Sequence, residues 1–442
     1  MCIRDREINR RLFVKKSGVV AGTTLAASMI PWNVSCSNPS DMIRVGLIGC
    51  KNMGFSDLTA FLAEDNVDCI ALCDIDKQIL EEKASEVEKL KSKRPQIFTD
   101  FRKLLELKEI DVVIIGTPDH WHALMMVMAL EAGKHVYVEK PMGHSIEECL
   151  IMVKAAAKYP KQVVQVGMWQ RSSKHWFDAS DYVRSGKLGD VNLVKAWIYK
   201  GMGEPVPAQP DSVAPDYVDY NMWLGPAPAR PFNKNRFHYD FRWFWDYAGG
   251  AMTDWGVHLL DFAIYGMNVG YPDSVSPGGG CYLNKGVIET PDIQQALYSY
   301  PKHTMIWECG MIPRMGPFGM HHGVSFTGTR GTLIVSRNGW QVSSEVSNKD
   351  QKKYIENVPN QPAIGGLKDH VKNFLNGIRK GEKQNAPVEV GALTAITSEM
   401  GNIAYRTGQL LHWDSQNMKF VEEEANKLAK LTYREPWKLP VF

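Results

Sequence analysis

The chain has 442 residues, 44% of them hydrophobic and 23% charged, which is ordinary globular material with core enough for two or three packed units. Lys plus Arg number 51 against 49 Asp plus Glu, so no charge excess marks a binder of nucleic acid or of an anionic membrane. Eight cysteines show no C-x-x-C or Cys/His spacing, which leaves neither a disulfide framework nor a metal site to argue from.

At the start, Asn9-Arg10-Arg11-Leu12-Phe13-Val14-Lys15 matches the twin-arginine export pattern. The apolar stretch from Val19 to Ile30 is too short and too weak to span a bilayer permanently. Residues 1–40 therefore read as an export signal and linker, and the mature protein is expected in the periplasm. Cys36, in Val34-Ser35-Cys36-Ser37, is a candidate for lipid attachment, although Asn33 stands where a branched apolar residue is usual.

Residues 41–165 read as a nucleotide-binding domain. Ile43-Arg44-Val45-Gly46-Leu47-Ile48-Gly49 is a β-branched strand that breaks into glycine, and Cys50-Lys51-Asn52-Met53-Gly54 leads to a helix from Asp57. Strand, tight turn and helix start cradle a pyrophosphate, because backbone N–H groups and the helix dipole point at the anion. Lys51 replaces the middle glycine of G-x-G-x-x-G, where a side chain crowds the approach to phosphate. Asn52, which tolerates positive φ, is the residue expected to relieve that strain. The next strand, Val67 to Cys73, ends in Asp74, twenty residues beyond Gly54. A carboxylate there accepts from ribose hydroxyls and repels a 2′-phosphate, so NAD is expected over NADP. A third strand, Asp111 to Ile115, opens into Gly116-Thr117-Pro118-Asp119-His120-Trp121-His122, and Val136-Tyr137-Val138 then delivers Glu139-Lys140-Pro141. The alternation of strand and helix predicts a doubly wound parallel sheet, whose strand ends are where ligands bind.

Residues 166–415 read as an α/β domain with a large open antiparallel sheet. Arg171 follows the Val163 to Val166 strand and is expected to face the cleft. Between Tyr217 and Tyr247 aromatic residues crowd, among them Trp223, Tyr239, Trp243 and Trp245, with Arg242 and Asp246 interleaved. Such a loop suits the C–H faces and hydroxyls of a sugar, or else it staples itself onto the sheet or buries an oligomer contact. Thr253-Asp254-Trp255-Gly256-Val257-His258 places Asp254 and His258 four residues apart, on one face of a helix. Strands follow at Val191 to Tyr199, Gln294 to Tyr300, Thr304 to Cys309, Val324 to Thr327 and Thr332 to Ser336, then helices at Asp369 to Ile378 and Ala392 to Arg406. Residues 416–442 read as a charged helix and a proline-bearing tail suited to wrapping a neighbour, which fits a homo-oligomer.

With these segments the chain resembles the oxidoreductase family named for glucose-fructose oxidoreductase, inositol dehydrogenase and the rhizopine catabolism protein (Gfo/Idh/MocA). The likeness covers roughly residues 43 to 415. It rests on Val45-Gly46-Leu47-Ile48-Gly49, Gly116-Thr117-Pro118 with His122, Ala132-Gly133-Lys134-His135-Val136 running into Glu139-Lys140-Pro141, and Gly249-Gly250 leading to Asp254, His258 and Asp261. The resemblance implies an NAD-binding Rossmann domain before the α/β domain, with substrate between them. It implies that Lys140 positions and helps deprotonate a sugar hydroxyl, that Asp254 and His258 form the acid/base pair, and that His122 lines the cofactor cleft.

These residues give a site with catalytic Lys140, Asp254 and His258. The cofactor would be held by Gly49, Lys51, Asn52, Met53, Gly54, Asp74, Thr117, Pro118, His122, Glu139 and Lys140, and the substrate by Arg171, Trp245, Asp246, Asp254 and His258, with no metal. Moving a hydride from a carbinol carbon to nicotinamide requires the hydroxyl proton to leave too, so a base must be in reach. His258 titrates nearest neutrality, and the sequence leaves open whether it or Lys140 takes the proton. Free NAD is not expected outside the cytoplasm, so an exported enzyme would retain its cofactor. That condition admits a sugar oxidoreductase working by ping-pong transfer, in which one sugar is oxidised and another carbonyl reduced, a redox-neutral glycoside hydrolase (oxidation, elimination, hydration, reduction), or a carbohydrate-binding protein without turnover.

Overall fold

The structure, a computed structural model, describes residues 41–442; the export pattern and Cys36 lie outside the described residues. The chain first lays down β1 (Ile43–Ile48), α1 (Met53–Leu62), β2 (Val67–Cys73), α2 (Lys77–Lys91), β3 (Gln96–Phe98), α3 (Phe101–Leu105), β4 (Val112–Ile115), α4 (His122–Glu131), β5 (His135–Val138), α5 (Ile146–Lys158) and β6 (Val164–Val166). All six strands are parallel, in the order β3-β2-β1-β4-β5-β6. This is the doubly wound order, with its reversal between β1 and β4, where a crevice opens above the strand ends. β4 is buried at every position, as expected for a parallel strand covered on both faces. The Asp76 side chain caps α2 by accepting from the N–H groups of Gln78 and Ile79.

A second sheet follows, formed as the chain runs through α6 (Lys174–Arg184), β7 (Val191–Tyr199), α7 (Tyr220–Leu224), α8 (Val257–Met267), β8 (Ser274–Gly280), β9 (Ile293–Ser299), β10 (Thr304–Gly310), β11 (His322–Gly328), β12 (Gly331–Ser336), β13 (Gly339–Ser344) and β14 (Val358–Pro362). After α9 (Leu367–Lys380) and α10 (Val388–Thr407), β15 (Leu411–Asp414) and β16 (Lys419–Phe420) complete ten strands in the order β14-β13-β12-β11-β7-β10-β9-β8-β15-β16. The sheet is antiparallel except where β10 pairs with β7, so the expected open antiparallel sheet carries one parallel seam. α8 lies under β7 and β11, and Phe326 closes on Gly266 so tightly that a Cβ there would sit 2.6 Å from the ring.

The two sheets are interleaved in sequence. Phe374 of α9 meets Phe61 of α1 at 5.7 Å and Tyr137 of β5 at 5.8 Å, so a late helix covers the first sheet. Only Glu423–Leu428, α11, is helical in the last segment, and the tail expected to wrap a neighbour lies on its own chain instead. Tyr433 Oη donates to the buried Glu148 carboxylate at 2.5 Å, Arg434 donates to the carbonyl of Gly225, and Trp437 stands 4.9 Å from Trp121. Aromatic burial against Trp121 and Phe101 holds the tail there. Among the described residues no helix is long and apolar enough to cross a membrane.

Candidate active site

The carboxyl ends of β1, β4, β5 and β6 deliver Gly49, Gly116, Glu139 and Gly167 to one rim, and above it lies a cavity of about 540 Å³. Its floor is a contact of backbones. A Cβ on Gly54 would fall 2.1 Å from the Gly49 carbonyl oxygen, and one on Gly116 would fall 2.5 Å from the Gly54 Cα. Only glycine allows the turn after β1 to close against the loop after β4. Asn52 takes φ +47 and caps α1 without a side-chain hydrogen bond, so the first N–H groups of that helix face the cavity unclaimed by its side chain. Lys51, Asn52 and Met53 all line this end, and Lys51 adds a cation where a pyrophosphate would lie.

Asp74 stands at the end of β2 on the same wall, accepting from the N–H groups of Cys50 at 2.7 Å and Asp76 at 3.0 Å. Burial pushes its carboxyl up to about 6 against the pull of those N–H groups, so it is ionised at neutral pH and ready to accept from a ribose diol. These features fit NAD: a helix start without a side-chain cap, a glycine cradle, a cation and a ribose acceptor in order along one wall.

At the far end three of the expected residues meet. Lys140 Nζ donates to Asp254 Oδ1 at 3.0 Å and to the Asp254 carbonyl at 2.9 Å, and His258 lines the cavity beside them. Asp254 sits in a π-helical turn, Met252–Gly256, that precedes α8. Such turns interrupt the regular ladder and turn side chains toward a site. Arg242 Nη1 also donates to Asp254 Oδ1, at 3.0 Å, and Lys200 Nζ stands 3.5 Å from Oδ2. Burial would raise the Asp254 carboxyl, but Arg242, Lys140 and Lys200 together hold it well below the usual carboxylate range. Asp254 is thus held as an anion by three cations, which does not fit a proton-exchanging half of an acid/base pair. His258 is held well below the usual imidazole range by burial first and then by Lys140 and Arg337, so its ring is neutral, and a proton taken up there must be offset by charge lost elsewhere in the site.

Of the remaining cofactor residues, Thr117, Pro118 and Glu139 line the cavity. Gly54 lies in its floor, while His122 is buried behind it, with Nδ1 2.7 Å from the Pro141 carbonyl and Nε2 2.9 Å from that of Thr117. Burial keeps this ring neutral, with a pKa near 4, so it donates to only one of the two carbonyls, packs between the two loops and does not face the cleft. Three substrate assignments fail for the same reason, a stronger partner elsewhere. Arg171 forms a fork with buried Asp261, Nη2 to Oδ1 at 2.6 Å, and lies off the cavity wall. Trp245 lies under Arg406 and beside Tyr405, and Asp246 pairs with Arg230 at 2.8 Å.

Their places are taken by Asp119, Trp169, His238, Trp255 and Arg337, which sequence reasoning passed over, and by Tyr239 of the expected aromatic loop. Asp119 and Glu139 are both pushed up to about 7 by burial, against the pull of Lys140. The aromatic segment forms a strap over the nucleotide end. Lys77 N–H donates to the Tyr217 carbonyl and Asp219 N–H to that of Ile75, both at 2.9 Å, and His238 Nε2 donates to Asp76 Oδ2 at 2.8 Å. Met222, Trp223, Tyr239 and Phe241 then roof the cavity.

Residues 43–168 match the family model described as an oxidoreductase family with an NAD-binding Rossmann fold, and residues 164–277 match that family's C-terminal alpha/beta domain. The chain belongs to the Gfo/Idh/MocA oxidoreductase family. Among curated relatives, an alpha-N-acetylgalactosaminidase of Shewanella oneidensis is 31% identical over 179 residues, 36% of this chain and 39% of that one. A glycosyl hydrolase family 109 protein of Shewanella sp. (strain ANA-3) matches equally, so the chain aligns with about two fifths of these relatives' length. In fold it is similar to the WlbA dehydrogenase from Bordetella pertussis, solved with NADH and UDP-GlcNAcA, at TM-score 0.63 and 17% identity over 84% of this chain and 99% of that one. A levoglucosan dehydrogenase solved with NADH and levoglucosan gives TM-score 0.61 at 20% identity, with the same two coverages.

Proposed function

We propose that this family member is an NAD(H)-retaining oxidoreductase acting on a sugar or glycoside. The observation that carries the reading is the convergence of Lys140, Asp254 and His258 at one end of a cavity whose other end fits a dinucleotide. Bound nicotinamide would supply the acceptor and donor of a hydride at the carbinol carbon. Neutral His258 takes the hydroxyl proton. Lys140 spends two N–H groups on Asp254 and keeps one for the substrate oxygen as negative charge grows there. Asp254 holds Lys140 and Arg242 in register. The strap over the nucleotide end supports retention, since its hydrogen bonds must break before the cofactor leaves.

A second reading, the redox-neutral glycoside hydrolase, is favoured by the names of the curated relatives. That cycle needs another proton carrier near the leaving oxygen, and Asp119, at about 7 on the same wall, can be one. Aryl glycosides decide between the two. Release of the aryl group without added nucleotide supports hydrolysis, whereas its absence together with stoichiometric cofactor reduction supports simple oxidation. The arginine pair of Asn9 to Lys15 supports twin-arginine export to the periplasm, Cys36 supports lipid anchoring, and a homo-oligomer is proposed with them. Fractionation of cells expressing the full chain, with Arg10→Lys/Arg11→Lys as the comparison, tests the export reading.

A further inference from the structure

Four cations gather at the catalytic end of the cavity, and only three are paired. Lys140, Arg242 and Lys200 share Asp254. Arg337 has no carboxylate within ion-pair distance among the described residues. It sits in the two-residue turn between β12 and β13, so the second sheet pushes it over the cavity from the side opposite the nucleotide cradle. Its Nε donates to Gln170 Oε1 at 3.0 Å, and its guanidinium carbon lies 4.7 Å from the Trp169 ring and 4.4 Å from the Trp255 ring. These contacts fix the plane of the fork and leave its two terminal nitrogens with no acceptor among the described residues. Burial pushes its pKa down to about 10, and distant Asp254 offers the only carboxylate that pulls the other way.

A half-buried guanidinium with no carboxylate beside it costs stability unless something neutralises it. The cost rises when the cofactor binds in its oxidised form, because a positive nicotinamide ring joins the same pocket. Asp119 and Glu139 titrate near neutrality and neutralise only part of the excess. The missing charge belongs to the ligand. Arg337 is held by Nε, so it presents one flat edge of parallel N–H groups between aromatic side chains, the geometry that matches a planar carboxylate in a bidentate pair.

Resting on the reading of this cavity as a sugar site, we propose that the substrate is a uronic acid or its glycoside, with its carboxylate gripped by Arg337 while a ring hydroxyl meets His258 and Lys140. The pair Trp169 and Trp255 then faces the sugar body.

The test is calorimetric titration of the NAD-loaded full-length protein at low salt with glucuronate and galacturonate, against glucose, galactose and glucose 6-sulfate. The uronates are expected to bind about tenfold or more tightly than the neutral sugars, and Arg337→Gln should remove that preference. Arg337→Lys should recover only part of it, because a point charge cannot make the paired contact. Equal or tighter binding of neutral sugars by the native protein, no uronate binding, or a preference that survives Arg337→Gln would overturn the proposal. Stronger binding of the sulfate ester than of either uronate would overturn the choice of carboxylate. The native comparison stands even where the variant fails to fold. Uronate preference without any cofactor reduction would count against the redox reading and leave this one intact.

Discussion

Asp254 is the residue on which the catalytic end turns, since one carboxylate anchors Lys140, Arg242 and Lys200. Asp254→Asn should leave those cations underpaired, costing on the order of 3 kcal/mol of stability and about a hundredfold in rate, read by thermal melts and by turnover. Unchanged turnover would remove Asp254 from the site. His258→Ala should lower turnover by about a thousandfold while the cofactor stays bound, because the imidazole carries the proton and not the nucleotide. Asp74 predicts a pH effect. Its pKa is raised by burial to about 6, so the ionised form that accepts from ribose predominates above that value and is lost below it. Nucleotide retention should therefore weaken as pH falls through about 6, and Asp74→Asn should flatten that dependence. Lys140 and His258 were legible in the sequence because the chemistry demands those residue types beside a recognisable strand end. Arg171 and Arg337 were not. One guanidinium finds Asp261, contributed by α8, and the other gains its meaning from a hairpin turn whose register no local pattern reveals.

Among the elements, the glycine floor and the strap do the positioning. Gly54→Ala drives a Cβ against the Gly49 carbonyl and should cost about 2 kcal/mol or more, with loss of the bound nucleotide. His238→Ala removes the strap's side-chain tie to Asp76 and should speed nucleotide release, measured by exchange against labelled NAD, while the fold persists. A release rate equal to the native one would contradict the strap's role. The parallel strands read clearly because apolar runs such as Val112–Ile115 are buried on both faces. β8 was missed because Ser274–Gly280 carries three glycines and a proline and shows no alternation, and β14 because Val358–Pro362 is a polar edge held only by pairing. The π turn at Met252–Gly256 also left no trace in a sequence that reads as a plain helix.

For the whole molecule, the interleaving of α9 and α10 with the first sheet binds both halves into one cooperative body. Buried acids tie its stability to pH. Burial raises Glu399 from the usual 4.5 to about 8, so its contribution is complete at acid pH and is lost as pH climbs through about 8. Glu399→Gln should be more stable than the native protein at pH 9 by on the order of 3 kcal/mol and match it only near pH 4.5, with the gap opening between those values; the same difference at both values would point to packing instead. The cavity joining a nucleotide cradle to a paired lysine and a neutral histidine is the account's centre. The most direct measurement is the absorbance spectrum of the protein as purified, taken before and after mixing with sugars and glycosides and with no nucleotide added. The account predicts bound nicotinamide in near-equimolar amount, whose redox state changes with substrate in the native protein and stays fixed in His258→Ala. Protein that folds, binds the sugar and holds no nicotinamide would contradict it.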